Sequence, residues 1–303
     1  MRRLRAISAT LFVISILLFG ICIIKDKLID DKTGPVFRMD SDTVEVSVKD
    51  DEKELLRGLT AEDASDGDVT DSIIVESISP FTGTGHRIVT YAAFDSDNHV
   101  THIKRELAYT DYVPTRFHLS KQLSFAMNTT NLLDGITGED CIDGDITKNI
   151  RMVSDQEINT SYVGEYNARL KVTNSAGGVS YLPVTVEIFD AAVHYRLPQI
   201  KLTDNVVYVE EGEYFDEEDY LKSIVINGSE YSLTHENETY ASSKELPDMN
   251  EKSIDYDRLD IESEVNTDIT GYYEVIYSFE DTEFSTGTGK ARLYVVITER
   301  ENG

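Results

Sequence analysis

The sequence predicts an all-β chain of three tandem β-sandwich modules behind an N-terminal apolar helix. Three observations carry this. Asp66-Gly67-Asp68-Val69-Thr70 returns 77 residues later as Asp143-Gly144-Asp145-Ile146-Thr147. That period is too long for a solenoid unit and suits a small independent domain. Gly85, Gly164 and Gly271 each introduce a run of alternating apolar and polar residues, the pattern of a half-buried strand. No amphipathic stretch is long enough for more than a turn or two of helix outside the N-terminus, so sheet must pack on sheet.

The N-terminal element comes first. Residues 6–24 carry no charge and no proline, and as a helix they extend about 28 Å, close to the hydrocarbon thickness of a bilayer. Arg2, Arg3 and Arg5 precede them, which directs the short N-terminus to the cytoplasm. The competing reading is a cleaved signal peptide. No small-x-small site follows the apolar run, and Lys25-Asp26-Lys27 is a poor exit. The expectation is an uncleaved signal anchor at the cell membrane within residues 1–27, with residues 28–303 extracellular.

The modules are expected at residues 28–110, 111–190 and 191–303. Pro35, Pro114 and Pro198 open them, each followed by apolar alternation; proline at a first strand position removes no ladder donor. Leu56, Gly58, Thr60, Glu62 and Asp63 match Leu133, Gly135, Thr137, Glu139 and Asp140, and Ile73 matches Ile150. Turn chemistry follows the alternating strand at Asp95-Ser96, at Asn174-Ser175-Ala176-Gly177 and at Asp281-Thr282. Closing strands are expected at 100–107, 179–188 and 291–298. The third module shares Glu264-Val265-Asn266-Thr267 with Glu157-Ile158-Asn159-Thr160 of the second. It lacks the Asp-Gly-Asp-x-Thr loop and carries an acidic insertion near 229–260. The junctions are short and poor in Gly and Ser, so the modules are expected to stack end to end.

Asp-x-x-Asp-Gly-Asp-[Val/Ile]-Thr, then Gly-x-Tyr with strand alternation, then Asn-Ser-Ala-Gly resembles the bacterial immunoglobulin-like repeats found in a pesticidal crystal protein and in Firmicute surface proteins. The second module matches most fully, through Asp140, Asp143 to Thr147, Gly164-Glu165-Tyr166 and Asn174 to Gly177. The first has His86-Arg87 in place of the usual x-Tyr, and the third loses the acidic loop. The resemblance implies immunoglobulin-like β-sandwiches in an extracellular, noncatalytic setting, and implies no ligand.

Charge narrows the partners. The chain has net charge −28, and residues 1–27 hold five basic groups against Asp26, so the remainder is more acidic still. Such a surface repels nucleic acid. Cys22 lies in the apolar segment, which leaves Cys141 alone in the rest of the chain without an intrachain disulfide. It is expected to fill a small space beside Asp140 and Asp143.

The acidic loops are the candidate chemistry. Asp63, Asp66 and Asp68, and likewise Asp140, Asp143 and Asp145, cluster within a few residues of Glu62 and Glu139. These are candidate Ca²⁺ ligands, because the ion takes six to eight oxygens. The spacing is not that of an EF-hand. The alternative is purely structural, with Asp side chains capping their own backbone and Gly67 or Gly144 supplying a positive φ. No other cofactor is indicated. His99-x-x-His102 has no Cys or Glu-x-x-His context for zinc, and no nucleophile motif appears. Of the 17 tyrosines, Tyr273 and Tyr277 are expected in the core. Tyr231, Tyr240 and Tyr256 are expected to contact a partner.

The functional expectation is a noncatalytic, membrane-anchored surface protein of a Gram-positive bacterium. It would act in adhesion, cell-wall association or envelope scaffolding. Its partners would be the membrane, through residues 6–24, and cell-wall glycan or a surface protein. A passive spacer is the alternative, and an accessory or enzyme of surface polysaccharide metabolism a more distant one.

Overall fold

The computed structural model describes residues 10–21, 33–235, 253–283 and 286–300. The chain divides into two compact units, Met1–Tyr112 and Val113–Gly303.

In the first unit, β1 (Val36–Met39), β3 (Leu59–Asp63) and β4 (Gly67–Asp68) form one sheet in the order β1-β3-β4. β2 (Thr43–Val46), β5 (Ile74–Ile78), β6 (His86–Phe94) and β7 (Val100–Tyr109) form a second in the order β2-β7-β6-β5. The first strand of this sheet runs parallel to the last, and the remaining pairs are antiparallel. Alternation turns Val89, Tyr91 and Ala93 inward, where they meet Val44, Ala61 and Leu107.

The second unit repeats the plan and extends it. β8 (Arg116–Leu119), β10 (Ile136–Asp140) and β11 (Gly144–Asp145) face β9 (Ser124–Ala126), β12 (Arg151–Val153), β13 (Gly164–Thr173) and β14 (Val179–Phe189). A single turn of helix, Ala191–His194, leads on and is capped by the Asp190 carboxylate. A third pair of four-stranded sheets follows. One holds β15 (Gln199–Leu202), β17 (Leu221–Ile226), β18 (Ser229–Thr234) and β19 (Ser253–Asp255); the other holds β16 (Val206–Glu210), β20 (Leu259–Ser263), β21 (Gly271–Asp281) and β22 (Gly287–Thr298). The acidic insertion expected near 229–260 is therefore partly strand, and residues 236–252 lie outside the described residues.

β22 begins four residues earlier than expected and is buried on both faces. Ala291, Leu293, Val295 and Ile297 point into the third core. Tyr294 and Val296 join the second core from the opposite face, together with Val206 of β16. The second and third sheet pairs thus share apolar packing along their flanks, so end-to-end stacking is corrected for this pair. The contact uses mid-strand positions: Tyr294 Oη accepts the Thr185 N–H at 3.0 Å and donates to the Thr185 carbonyl at 2.9 Å. Tyr208 Oη accepts the Phe117 N–H at 2.6 Å. Gln122 answers from the other side, its amide accepting the Arg292 N–H at 2.7 Å and donating to the Arg292 carbonyl at 2.9 Å. Side chains thereby stand in for missing ladder partners, as buried backbone groups require.

The expected membrane anchor is also corrected. Among the described residues the N-terminal helix covers residues 10–21, about 18 Å of rise against roughly 30 Å of hydrocarbon. No helix of the described residues is long and apolar enough to cross a membrane. Residues 6–9 and 22–24 of the expected segment lie outside the described residues. A helix of this length does not support a single-pass anchor, a membrane partnership through residues 6–24, or the cytoplasmic and extracellular sides derived from them.

Candidate functional site

The acidic loops lie between β3 and β4 and between β10 and β11. Gly67 at φ +78° and Gly144 at φ +69° make the tight returns, a region open to glycine without strain. Around each glycine the carboxylates turn onto the chain's own donors. Asp63 Oδ1 accepts the N–H groups of Ser65 and Asp66 at 2.8 and 3.0 Å. Asp140 Oδ1 does the same for Ile142 and Asp143 at 3.0 and 3.1 Å. Asp66 reaches across the sandwich to the Ser96 N–H and hydroxyl at 2.7 and 2.9 Å, and Asp143 to those of Ser175 at 2.6 and 2.5 Å. Asp68 and Asp145 accept the Thr70 and Thr147 N–H groups at 3.0 and 2.9 Å.

The threonine completes the clip. Thr70 Oγ1 accepts the Ala61 N–H, and Thr147 Oγ1 the Gly138 N–H, both at 3.1 Å. The Thr70 hydroxyl, then its amide, holds the Asp68 carboxyl below the usual range, and Thr147 does the same to Asp145. Within Asp-Gly-Asp-x-Thr the first Asp thus reaches the other sheet, the glycine makes the turn, and the second Asp and the Thr hold the loop on its own strand. Glu62 and Glu139 face outward, toward Arg38 at 2.9 Å and His118 at 3.9 Å. Among the described residues no three His, Cys, Asp or Glu side chains converge as a metal-holding group.

Four partners of the clips carry no signal in the acidic motif itself. They are the serines that receive Asp66 and Asp143, Asn174, whose amide donates to Asp140 Oδ2 at 3.2 Å, and Thr115, whose hydroxyl donates there at 2.6 Å. The serines were visible in the sequence as turn residues 30 and 32 positions away; only the fold brings them to the loop. Cys141 is half-buried with Sγ 3.0 Å from the Val113 carbonyl. His99 and His102 go to different carboxylates, Asp95 at 2.6 Å and Glu76 at 3.3 Å.

The tyrosines sort by position. Tyr277 is fully buried and Tyr273 packs at the core margin. Tyr231 and Tyr256 pack against the third core, and Tyr256 stacks on His235 at 4.6 Å; Tyr240 lies outside the described residues. Among the described residues the exposed tyrosines are Tyr162, Tyr181, Tyr195, Tyr272 and Tyr214, the last 80% exposed.

No family model matches the chain, and no curated protein matches it. Solved structures do. The CBM51-2 and INT domains of ZmpB from Clostridium perfringens, in complex with GlcNAc, are 18% identical over 49% of this chain and 26% of that one, with a TM-score of 0.21. The protocadherin gamma B4 extracellular domain is 12% identical over 89% and 50%, at 0.19. A lipoprotein from Bacteroides thetaiotaomicron is 12% identical over 59% and 98%, at 0.22. The chain thus spans about a quarter of the ZmpB fragment it matches. Scores this low carry no argument about function.

Proposed function

We propose that the chain is a noncatalytic surface protein whose tandem immunoglobulin-like β-sandwiches work by noncovalent contact, in adhesion, cell-wall association or envelope scaffolding. The observation that supports this reading is the use of the shared polar motif. Its carboxylates and threonines are engaged within the fold, in holding the loop on its strand and reaching Ser96 or Ser175 of the other sheet, so recognition falls to residues outside the motif. Exposed aromatic rings are suited to that role, because Tyr offers apolar area with a polar tip to sugars and proteins alike. Tyr214, its hydroxyl 2.8 Å from Asp216, is the most exposed of them.

The test is cosedimentation of the full chain with isolated Gram-positive cell walls, in Ca²⁺ and in chelator. Retention that falls when Tyr214 and Tyr195 become Ala supports a wall-binding role. Retention lost in chelator would add Ca²⁺ to the mechanism through the acidic loops. No retention in either buffer removes the wall reading and leaves a passive spacer.

A further inference from the structure

We propose that the outer face of the sheet β12-β13-β14-β9 binds an acidic polysaccharide, with Arg151, Arg169 and Lys171 taking its carboxylates and the Tyr181 ring taking the face of a sugar. Alternation turns Leu170 and Val172 of β13 and Leu182 and Val184 of β14 into the core, so the residues between them face outward. The register then sets Arg151, Lys171 and Tyr181 side by side on three adjacent strands, and Val153, Arg169 and Pro183 in the next row. Neighbours stand about 5 Å apart across the strands and about 7 Å apart along them, so one ligand can reach all three cations. Tyr181 is 39% exposed, and Lys171 Nζ lies 5.5 Å from the centre of its ring.

This face reverses the balance of a chain that holds 28 basic residues against 56 acidic ones. Asp155 pairs with Arg169 at 3.2 Å, but both side chains are exposed and such a pair is weak. Arg151 commits one guanidinium nitrogen to the Lys148 and Ile150 carbonyls. Among the described residues no carboxylate lies within ion-pair distance of Arg151 or Lys171. The two glutamates further along, Glu165 and Glu187, are engaged by Arg292 at 2.9 Å and by the Ser124 hydroxyl at 2.5 Å. The same row reads Ile74, Ala92 and His102 in the first sheet pair and Asp260, Ser278 and Lys290 in the third. The Arg-Lys-Tyr row thus belongs to the second pair.

The chemistry of the face selects its ligand. Guanidinium meets carboxylate through parallel hydrogen bonds, and a tyrosine ring offers apolar area to the flat side of a sugar. An extended acidic peptide would seek the strand edge instead, and β14 denies it one. Pro183 has no N–H, and the Thr185 N–H and carbonyl are taken by Tyr294. Nucleic acid and polyphosphate carry a denser charge, which a chain of net charge −28 repels. A polymer with one carboxylate per sugar meets the local cations at a smaller cost. The proposal rests on the noncovalent surface role above and narrows it to one face and one ligand chemistry.

The test is binding of the full chain to immobilised polygalacturonate, with dextran, polyglutamate and duplex DNA as the other surfaces. Wild type should bind polygalacturonate and not dextran, more weakly as salt rises from about 20 to about 200 mM. Arg151→Glu with Lys171→Glu should weaken binding about tenfold or more. Lys53→Glu with Lys222→Glu, the same change in net charge elsewhere, should leave it within about twofold. Tyr181→Ala should weaken it several-fold with the salt dependence kept. Asp155→Asn releases Arg169 and should tighten binding, a gain that no failure to fold can mimic. Absence of polygalacturonate binding by wild type overturns the proposal, as does equal loss in the two charge-reversed variants, or tighter binding of polyglutamate or DNA. Tyr214→Ala with Tyr195→Ala should leave this binding intact, so failure here and failure of wall retention through those rings are read separately.

Discussion

Tyr91 and Tyr277 occupy the same place, six residues after Gly85 and Gly271, and both send a hydroxyl to a carbonyl of a short 3-10 turn. Tyr91 donates to Leu55 and Tyr277 to Glu217, each at 2.7 Å. Burial pushes both hydroxyls up, so they stay protonated donors at any working pH. The second sheet pair has Leu170 there, fully buried without a polar tip. Tyr91→Phe should therefore cost about 1–2 kcal/mol in urea unfolding, the penalty of stranding a buried acceptor. The clips add an acid limb to stability. Asp68 and Asp145 lie below the ordinary range when folded, so the unfolded chain binds their protons more tightly. Their contribution is complete above about pH 5 and is lost as pH falls through 4 and below. Urea midpoints from neutral pH to about pH 3 should show this decline, and Asp68→Asn with Asp145→Asn should flatten it.

At the scale of the element, Gly-x-Tyr is a device for the strand entrance. Tyr166 folds back over Gly164 and donates to the Asn159 carbonyl at 2.9 Å; Tyr273 folds over Gly271 and donates to Ile269 at 3.0 Å. A Cβ on either glycine would rest on that ring at ordinary contact distance, 3.7 and 3.6 Å. The first sheet pair departs in sequence and keeps the bond: Arg87 Nε donates to the Ser79 carbonyl at 2.7 Å. Arg87→Ala should lower stability by about 1 kcal/mol, while Arg87→Tyr should recover most of it. The acidic clip is the second element-scale device. Asp143→Ala removes two charge-assisted bonds to Ser175 and should cost about 1–3 kcal/mol by chemical denaturation.

Across the whole molecule, the docking of the third sheet pair on the second is the largest departure from a string of separate modules. The Arg292 side chain is 9% exposed and lies 2.9 Å from Glu165 of the second pair and 3.1 Å from Glu274 of its own. The Glu165 contact is hydrogen-bonded, whereas the Arg292 Nε is an ion pair with Glu274 without bonding alignment. Burial opposes the charge on Arg292, and the two glutamates outweigh it. Tyr294→Phe strands the Thr185 N–H and carbonyl and should lower the melting temperature of the unit as a whole. The second and third sheet pairs should still unfold in one calorimetric transition, because they share a core. Separate transitions for the two would contradict that coupling.

The sequence by itself determined the repeat, the alternating strands and the turns, because strand burial has a period of two and positive-φ turns select glycine locally. It also exposed the acidic loops as built objects. What it left open was what those loops hold. Ser96 and Ser175 are remote in the chain from Asp66 and Asp143, and no local rule joins them. Only the tertiary structure decided that Tyr294 and Val296 face a neighbouring core, since β22 reads locally like any closing strand with an outer face. Its cue was apolar residues at both parities, legible once the partner surface was in view. The N-terminal segment shows the opposite limit: its hydropathy suggested a spanning length, and the helix described there is shorter. Composition reports what a segment tolerates; length and contact, which depend on the rest of the chain, report what it does.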